Sequence, residues 1–299
     1  MRVISFVLVI IDNDSLNNDR RCFMVALLDI SLLNCCTYSC DYCISRASLA
    51  TAENHNMPDG TLRAVYSTCG MTLKPHILQA FIRNHFSPDE CVIQLSGGEP
   101  LLHDSFPDIC LGLEAAGFKL IVNTNGCQLR SLAKTDDIGE WKAKWRCSWH
   151  RDFRNMKAFM EDISPLRKEN VLACYVAHPK RIESRVIEQD VGDLKNCGYA
   201  WEVTPFQGRW NGKDWDKHSK IYEDWITAFR KETAILPREV NYLSIIPNGD
   251  IMRCHRVKVG NIYENSLRER IPQAKQICKY SNGNSSCSLV QSLCLLGVL

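Results

Sequence analysis

A chain of 299 residues, 45% hydrophobic and 23% charged, has an ordinary globular composition and is long enough for one large α/β domain with a small appendage. Its formal net charge of +2 excludes the basic footprint of a duplex-binding protein, so no duplex nucleic acid is expected as a partner. Its 16 cysteines do not read as a disulfide scaffold, which would be shorter and secreted.

The first apolar run, Val3–Ile11, lacks a small-residue cleavage site and falls well short of the roughly 20 apolar residues that span a bilayer. It reads as a strand, which places the chain in a reducing cytoplasm away from membranes, with cysteines serving as metal ligands or small buried residues. A second apolar run, Val25–Leu33, reads as a strand buried on both faces, as in a parallel sheet. Directly after it, Cys36, Cys40 and Cys43 form a Cys-x3-Cys-x2-Cys array. Three thiolates on so short a loop can converge on one metal centre, and soft thiolates select zinc or iron–sulfur clusters. A cubane cluster usually takes four cysteines, so a set of three leaves one iron open. A three-cysteine zinc loop, or coincidence in a cysteine-rich chain, is the plainer alternative.

Residues 44–74 read as a long polar connection. Pro75 then opens a helix with Ile77, Leu78, Phe81, Ile82 and Phe86 on one face, a spacing that makes the face core. The strand Cys91–Ser96 runs into Ser96-Gly97-Gly98-Glu99-Pro100. Adjacent glycines let backbone approach a ligand closely, and Glu99 offers an anionic acceptor to an ammonium. A helix over Phe106–Gly117 leads to a third strand from Lys119, whose end, Asn123–Gly126, is polar. Trp145–His150 is a fourth strand with Ser148 and His150 near its end, Val171–His178 a fifth, and Tyr199–Phe206 a sixth after a helix carrying Ile187, Val191 and Leu194. Six strands joined by helix-length segments with right-handed crossovers predict an α/β fold, a (β/α)6 partial TIM-type barrel whose chemistry sits at the C-terminal strand ends. Of the other cysteines, Cys22, Cys69, Cys91, Cys110, Cys127, Cys147, Cys174 and Cys197 read mostly as buried filling.

Residues 207–240 read as a linker loop followed by a helix with an Ile221, Trp225, Ala228 and Phe229 stripe, and Asn248-Gly249 marks a hairpin that delivers Cys254. After an expected helix Leu267–Ile277 come Cys278, Cys287 and Cys294. Four cysteines can hold a second [4Fe–4S] cluster, and zinc is an alternative from the ligands alone.

With Tyr42 in the aromatic position, the Cys-x3-Cys-x-aromatic-Cys array resembles the signature of the radical S-adenosylmethionine (radical SAM) enzymes, and Gly97-Gly98-Glu99-Pro100, one helix and one strand later, resembles that family's Gly-Gly-Glu-Pro strand end. The resemblance implies a [4Fe–4S] cluster on Cys36, Cys40 and Cys43 that chelates S-adenosylmethionine (SAM) at its open iron. One electron then splits the sulfonium, giving a 5′-deoxyadenosyl radical that takes a hydrogen atom from the substrate. It also implies that Ser96, Gly97, Gly98 and Glu99 hold the methionine amine and that Tyr42 contacts adenine. Asn123 and Asn125, in a strand end like the family's Thr-x-Asn-Gly, and Ser148 and His150 would meet the ribose or the methionine. Val176 would back the adenine, although the family's glycine pattern is missing there. Residues 241–299 resemble, without the usual Cys-x2-Cys pair, the SPASM or twitch extensions that carry an auxiliary cluster. Residues 1–24 form an N-terminal strand and extension, and 25–206 the barrel.

The implied partners are an electron donor such as flavodoxin or ferredoxin and a substrate, with a peptide or protein favoured over a small molecule or nucleotide. No further catalytic side chain is assigned. A non-enzymatic iron–sulfur electron carrier is the rival of another class, and the Gly-Gly-Glu-Pro strand end weighs against it.

Overall fold

The computed structural model describes residues 26–38, 40, 43, 71–206, 208–210, 213–215, 241–253 and 257–267. Six parallel strands follow one another across the sheet in chain order: β1 (Ala26–Ser31), β2 (Cys91–Ser96), β3 (Lys119–Thr124), β4 (Lys144–Trp149), β5 (Val171–Ala177) and β6 (Ala200–Pro205). Between them run α1 (Pro75–His85), α2 (Phe106–Ala115), α3 (Leu129–Leu132), α4 (Met156–Ile163), α5 (Pro179–Glu183) and α6 (Val186–Asn196). The result is the expected mixed α/β fold with a large parallel sheet.

Local chemistry explains the elements. Helix α1 opens on a proline, where a missing N–H costs nothing, and closes on Arg83 and His85, which suit the negative end of the helix dipole. Helix α4 is capped by the Asn155 side chain, which accepts from Ala158 N. Strand residues alternate. Leu28 and Ile30, Ile93 and Leu95, Leu120 and Val122, and Trp145, Cys147 and Trp149 join one core with the helix residues Leu78, Phe81, Ile109, Phe159, Ile163 and Val191. The opposite face carries buried Leu27, Val92, Ile121 and Leu172 together with a polar patch. There Asp29 accepts from Gln94 (3.0 Å) and Ser96 (2.6 Å), while Arg146 donates to Glu202 (2.8 Å) and Thr204 (3.0 Å).

Two features differ from the sequence reading. Within the loop expected at the start of 207–240, β7 (Gly208–Trp210) and β8 (Lys213–Trp215) pair as an antiparallel hairpin, and Asn211-Gly212 between them is the same two-residue cue that marks Asn248-Gly249. Further on, β9 (Asn241–Ile245) pairs in parallel with β1, with Leu28 opposite Leu243. Strands β10 (Asp250–Arg253), β11 (Val257–Asn261) and β12 (Ser266–Leu267) continue antiparallel from it, so all lie in one sheet of order β12-β11-β10-β9-β1-β2-β3-β4-β5-β6. The strands of 241–267 are therefore not a separate sheet. The Val3–Ile11 strand, Cys22, Cys69, the 221–229 stripe and the helix expected from 267 to 277 (save Leu267 itself) lie outside the described residues. Among the described residues no helix is long and apolar enough to cross a membrane. Cys91, Cys110, Cys147 and Cys174 are buried as expected, nine described cysteines are free, and Cys35 is disulfide-bonded.

Behind the end of β4, a charged network ties the sheet to α6. Asp190, fully buried, accepts from Tyr175 Oη and from Arg151, and Arg181 donates to Tyr175 Oη (3.0 Å) and to Asp152 (2.6 Å). Removing Asp190 leaves the buried Tyr175 hydroxyl and Arg151 without their shared carboxylate. Asp190→Ala is expected to lower the unfolding free energy by about 3 kcal/mol in anaerobic denaturant titration, whereas Tyr175→Phe should cost about 1 kcal/mol.

Candidate functional site

The cysteine loop leaves β1 and lies against the end of β2. Leu32 N donates to Ser96 O (2.9 Å), Gly98 N to Leu33 O (2.9 Å) and Glu99 N to Cys35 O (2.6 Å). This contact is backbone on backbone. A Cβ at Gly98 would stand 1.8 Å from Cys35 O, and one at Gly97, where φ is +134°, would stand 2.5 Å from Leu33 O. Both glycines are therefore required by the approach of the loop itself.

Glu99, only 1% exposed, straps β2 to β3. Its Oε1 accepts from Thr124 Oγ1 (2.6 Å) and Leu101 N (3.2 Å), and its Oε2 accepts from Asn125 N (2.7 Å). Burial pushes its carboxyl up to about 7, against the pull of these three donors. Asn125 carries the connection on to the loop, donating from Nδ2 to Thr37 Oγ1 (2.9 Å) and, more weakly, to Cys36 Sγ (3.8 Å). Thr37 Oγ1 is also hydrogen-bonded to Cys127 Sγ at 3.2 Å.

From β4 comes His150, whose Nδ1 lies 3.4 Å from Cys40 Sγ. The imidazole meets the Tyr38 ring edge-on at 5.5 Å, and Tyr38 stacks on Phe153 at 4.5 Å. Burial first, and the Arg181 charge second, press the His150 imidazolium down to about 4, so the ring is neutral at ordinary pH. Burial also raises the Cys36 thiol to about 11, opposed by the Tyr38 amide that donates to its sulfur at 3.4 Å.

The residues singled out in the sequence are thus brought largely together. Cys36, Cys40, Gly97, Gly98, Glu99, Asn125 and His150 share one connected cluster at the C-terminal ends of β1–β4, and Cys43 N reaches Cys40 O at 3.3 Å. Ser96 is engaged with Asp29. Asn123 and Ser148 sit half-buried on the sheet face that carries the polar patch, with Asn123 opposite Arg146 in register, and Val176 is half-buried near the end of β5. Tyr42, Cys254, Cys278, Cys287 and Cys294 lie outside the described residues. Sequence reading missed Thr37, Tyr38, Cys127 and Phe153. Only the position of Tyr38 and Thr37 inside the cysteine array could have flagged them.

The donor set fits an iron–sulfur centre. Cys36, Cys40 and Cys43 are free thiols on one loop. No group of three His, Cys, Asp or Glu among the described residues converges on a single ion, and a cubane, whose thiolates each bind a different iron, does not require that convergence. Nearby, Asn123 Oδ1 is buried with no hydrogen-bond partner among the described residues, an acceptor suited to a polar cofactor.

No family model matches the chain, and no curated protein matches it in sequence. Solved structures match its fold. Streptococcus suis SuiB bound to the precursor peptide SuiA aligns with 82% of this chain at 15% identity and a TM-score of 0.53, and SuiB bound to SAM with 81% at 14% identity and 0.51. In both, the match covers 64% of SuiB's own length. The chain therefore shares the fold of a protein whose structures hold SAM and a precursor peptide.

Two outcomes follow from the geometry. Gly98→Ala should cost about 2 kcal/mol or more in denaturant titration, because backbone must move to admit the methyl group. Glu99, raised from its ordinary 4.5 to about 7, stabilises the fold fully below pH 4.5 and loses that contribution as pH rises through 7. Glu99→Gln removes this decline. Its stability relative to wild type, measured without ligand, should improve between pH 5 and pH 8 by up to about 3 kcal/mol. A pH-independent difference would contradict the assignment.

Proposed function

We propose that this chain, which has the radical SAM fold, is a radical SAM enzyme. One observation carries the reading: three free thiols on the loop after β1 are locked, backbone to backbone, onto a Gly-Gly-Glu turn at the end of β2. An electron carrier needs no such turn beside its cysteines, and a zinc loop needs its three thiols on one ion.

In this reading Cys36, Cys40 and Cys43 hold a [4Fe–4S] cluster, and (β/α)6 describes β1–β6 and their helices. When bound, the cluster and SAM supply one electron and a 5′-deoxyadenosyl radical, the species that abstracts hydrogen from the substrate. The chain's own residues bind and orient. The Gly97–Gly98 turn, with Glu99 lending charge, takes the methionine amine, and the unpartnered Oδ1 of Asn123 accepts from the cofactor. Ser96, Asn125, Ser148 and His150 line its polar side, Tyr42 contacts adenine and Val176 backs it. Glu99 has its lone pairs turned toward β3, so its effect on an ammonium is that of a buried charge whose ionisation the ammonium favours. Reduced flavodoxin or ferredoxin supplies the electron. The substrate is a peptide, a choice supported by the precursor peptide in the SuiB structure, with a small molecule or nucleotide as the alternative. Cys254, Cys278, Cys287 and Cys294 hold an auxiliary cluster in a SPASM-like stretch over 241–299.

The protein purified anaerobically should be brown and, given dithionite and SAM, should release 5′-deoxyadenosine. Cys40→Ala should release none. A colourless zinc protein, or a reduced cluster that leaves SAM intact, defeats the proposal. In the triple Cys36, Cys40 and Cys43→Ala variant, about four residual irons per chain support the auxiliary cluster, and none refutes it.

A further inference from the structure

We infer that His150 donates a hydrogen bond from Nδ1 to Cys40 Sγ when that sulfur ligates the cluster, and thereby raises the cluster's reduction potential. The inference rests on the function proposed above and gives His150 a different target from the SAM contact assigned to it there.

The geometry argues for a bond to sulfur. Nδ1 and Sγ stand 3.4 Å apart although the residues are 110 positions apart in the chain. An iron-bound thiolate carries no proton, so the direction of this bond is forced and the imidazole must donate. Donation to a ligand sulfur withdraws electron density from the cluster and favours its reduced form.

The ring is also held in place. The His150 carbonyl accepts from Phe153 N and Arg154 N, each at 3.0 Å, which closes a tight turn at the end of β4. That turn is pinned by Trp149 Nε1 donating to Arg154 O (2.8 Å), by Arg181 on Asp152 (2.6 Å), and by Arg151 paired with Asp190. On the loop side, Tyr38 presents its ring to the imidazole and stacks on Phe153 from the same turn. The loop that carries Cys40 and the turn that carries His150 therefore meet at two places, Cys40 against the imidazole and Tyr38 against both the imidazole and Phe153. Cys36 is treated similarly by the Tyr38 amide, so at least two of the three sulfurs face N–H donors fixed by the fold.

The test is a redox titration of the anaerobically reconstituted full chain, followed by electron paramagnetic resonance. In His150→Leu the midpoint potential should move to more negative values with iron content unchanged. In His150→Asn, whose side-chain amide keeps a donor close to the Nδ1 position, it should stay nearer to wild type. A Leu variant at the wild-type potential overturns the inference, as does an Asn variant that moves as far as Leu. Should the variants not fold, wild type labelled with 15N-histidine decides. A weak nitrogen coupling to the reduced cluster is expected, its absence overturns the bond, and a coupling as strong as a directly bound nitrogen reassigns His150 as a ligand. A wild-type chain that forms no reducible cluster defeats the functional proposal itself, an outcome distinct from all of these.

Discussion

The contact of peptide backbone with peptide backbone between Cys35 and Gly98 is the constraint on which the site depends. Two carbonyls of the cysteine loop accept from two successive amides of the turn after β2, at 2.9 and 2.6 Å. Such closeness is open only to a chain with no side chains in the way. Once the loop is seated there, Thr37 comes within reach of Asn125, Cys36 within reach of the same amide, and Cys40 within reach of His150. Glycine here sets where the Cys36 and Cys40 sulfurs stand relative to Asn125 and His150.

Burial then controls the protonation of the site. It raises Cys36 and Glu99 and lowers His150, so in each case the neutral form is favoured. If Cys36 ligates a cluster as proposed, its thiolate would depend on the cation bound there, and loading the site would release a proton. A thiol that ionised unaided would be a general nucleophile and an easy target for oxidation. The partly buried donors around Cys36, the Tyr38 amide and the Asn125 side chain, offset some of the cost of ionisation without removing it.

What could be read from the sequence was what is encoded locally. The cysteine spacing, the glycine pair and the α1 face with Leu78, Phe81 and Ile82 buried each lie within a dozen residues, so periodicity and turn chemistry reveal them. The order of β1 to β6 followed from strands alternating with helices, because parallel neighbours need crossovers. Pairings that depend on distant parts of the chain were not legible. Nothing in the Asn241–Ile245 strand says that it lies beside β1, since an apolar strand pairs equally well with many edges. His150 was noticed as a polar strand end, but its orientation toward Cys40 is set by the turn that follows it and by Tyr38. The two glycines were read as room for a ligand, whereas the structure shows that they first make room for the protein's own loop.

The charged network behind β4 makes sense in the same terms. Buried ion pairs seldom add net stability, because desolvating the charges offsets their attraction. Asp190, Arg151, Arg181 and Asp152 nonetheless surround the turn that follows His150, with Tyr175 Oη between two of them. Apolar residues of similar volume would fill that space, but they would leave the turn free to slide, since dispersion contacts are not directional. Hydrogen-bonded charges fix both distance and angle. They hold residues 151 and 152 in one orientation, and the imidazole one residue earlier inherits that orientation. Precision at the sulfur is thus set on the helix side of the sheet, by groups that never touch the site.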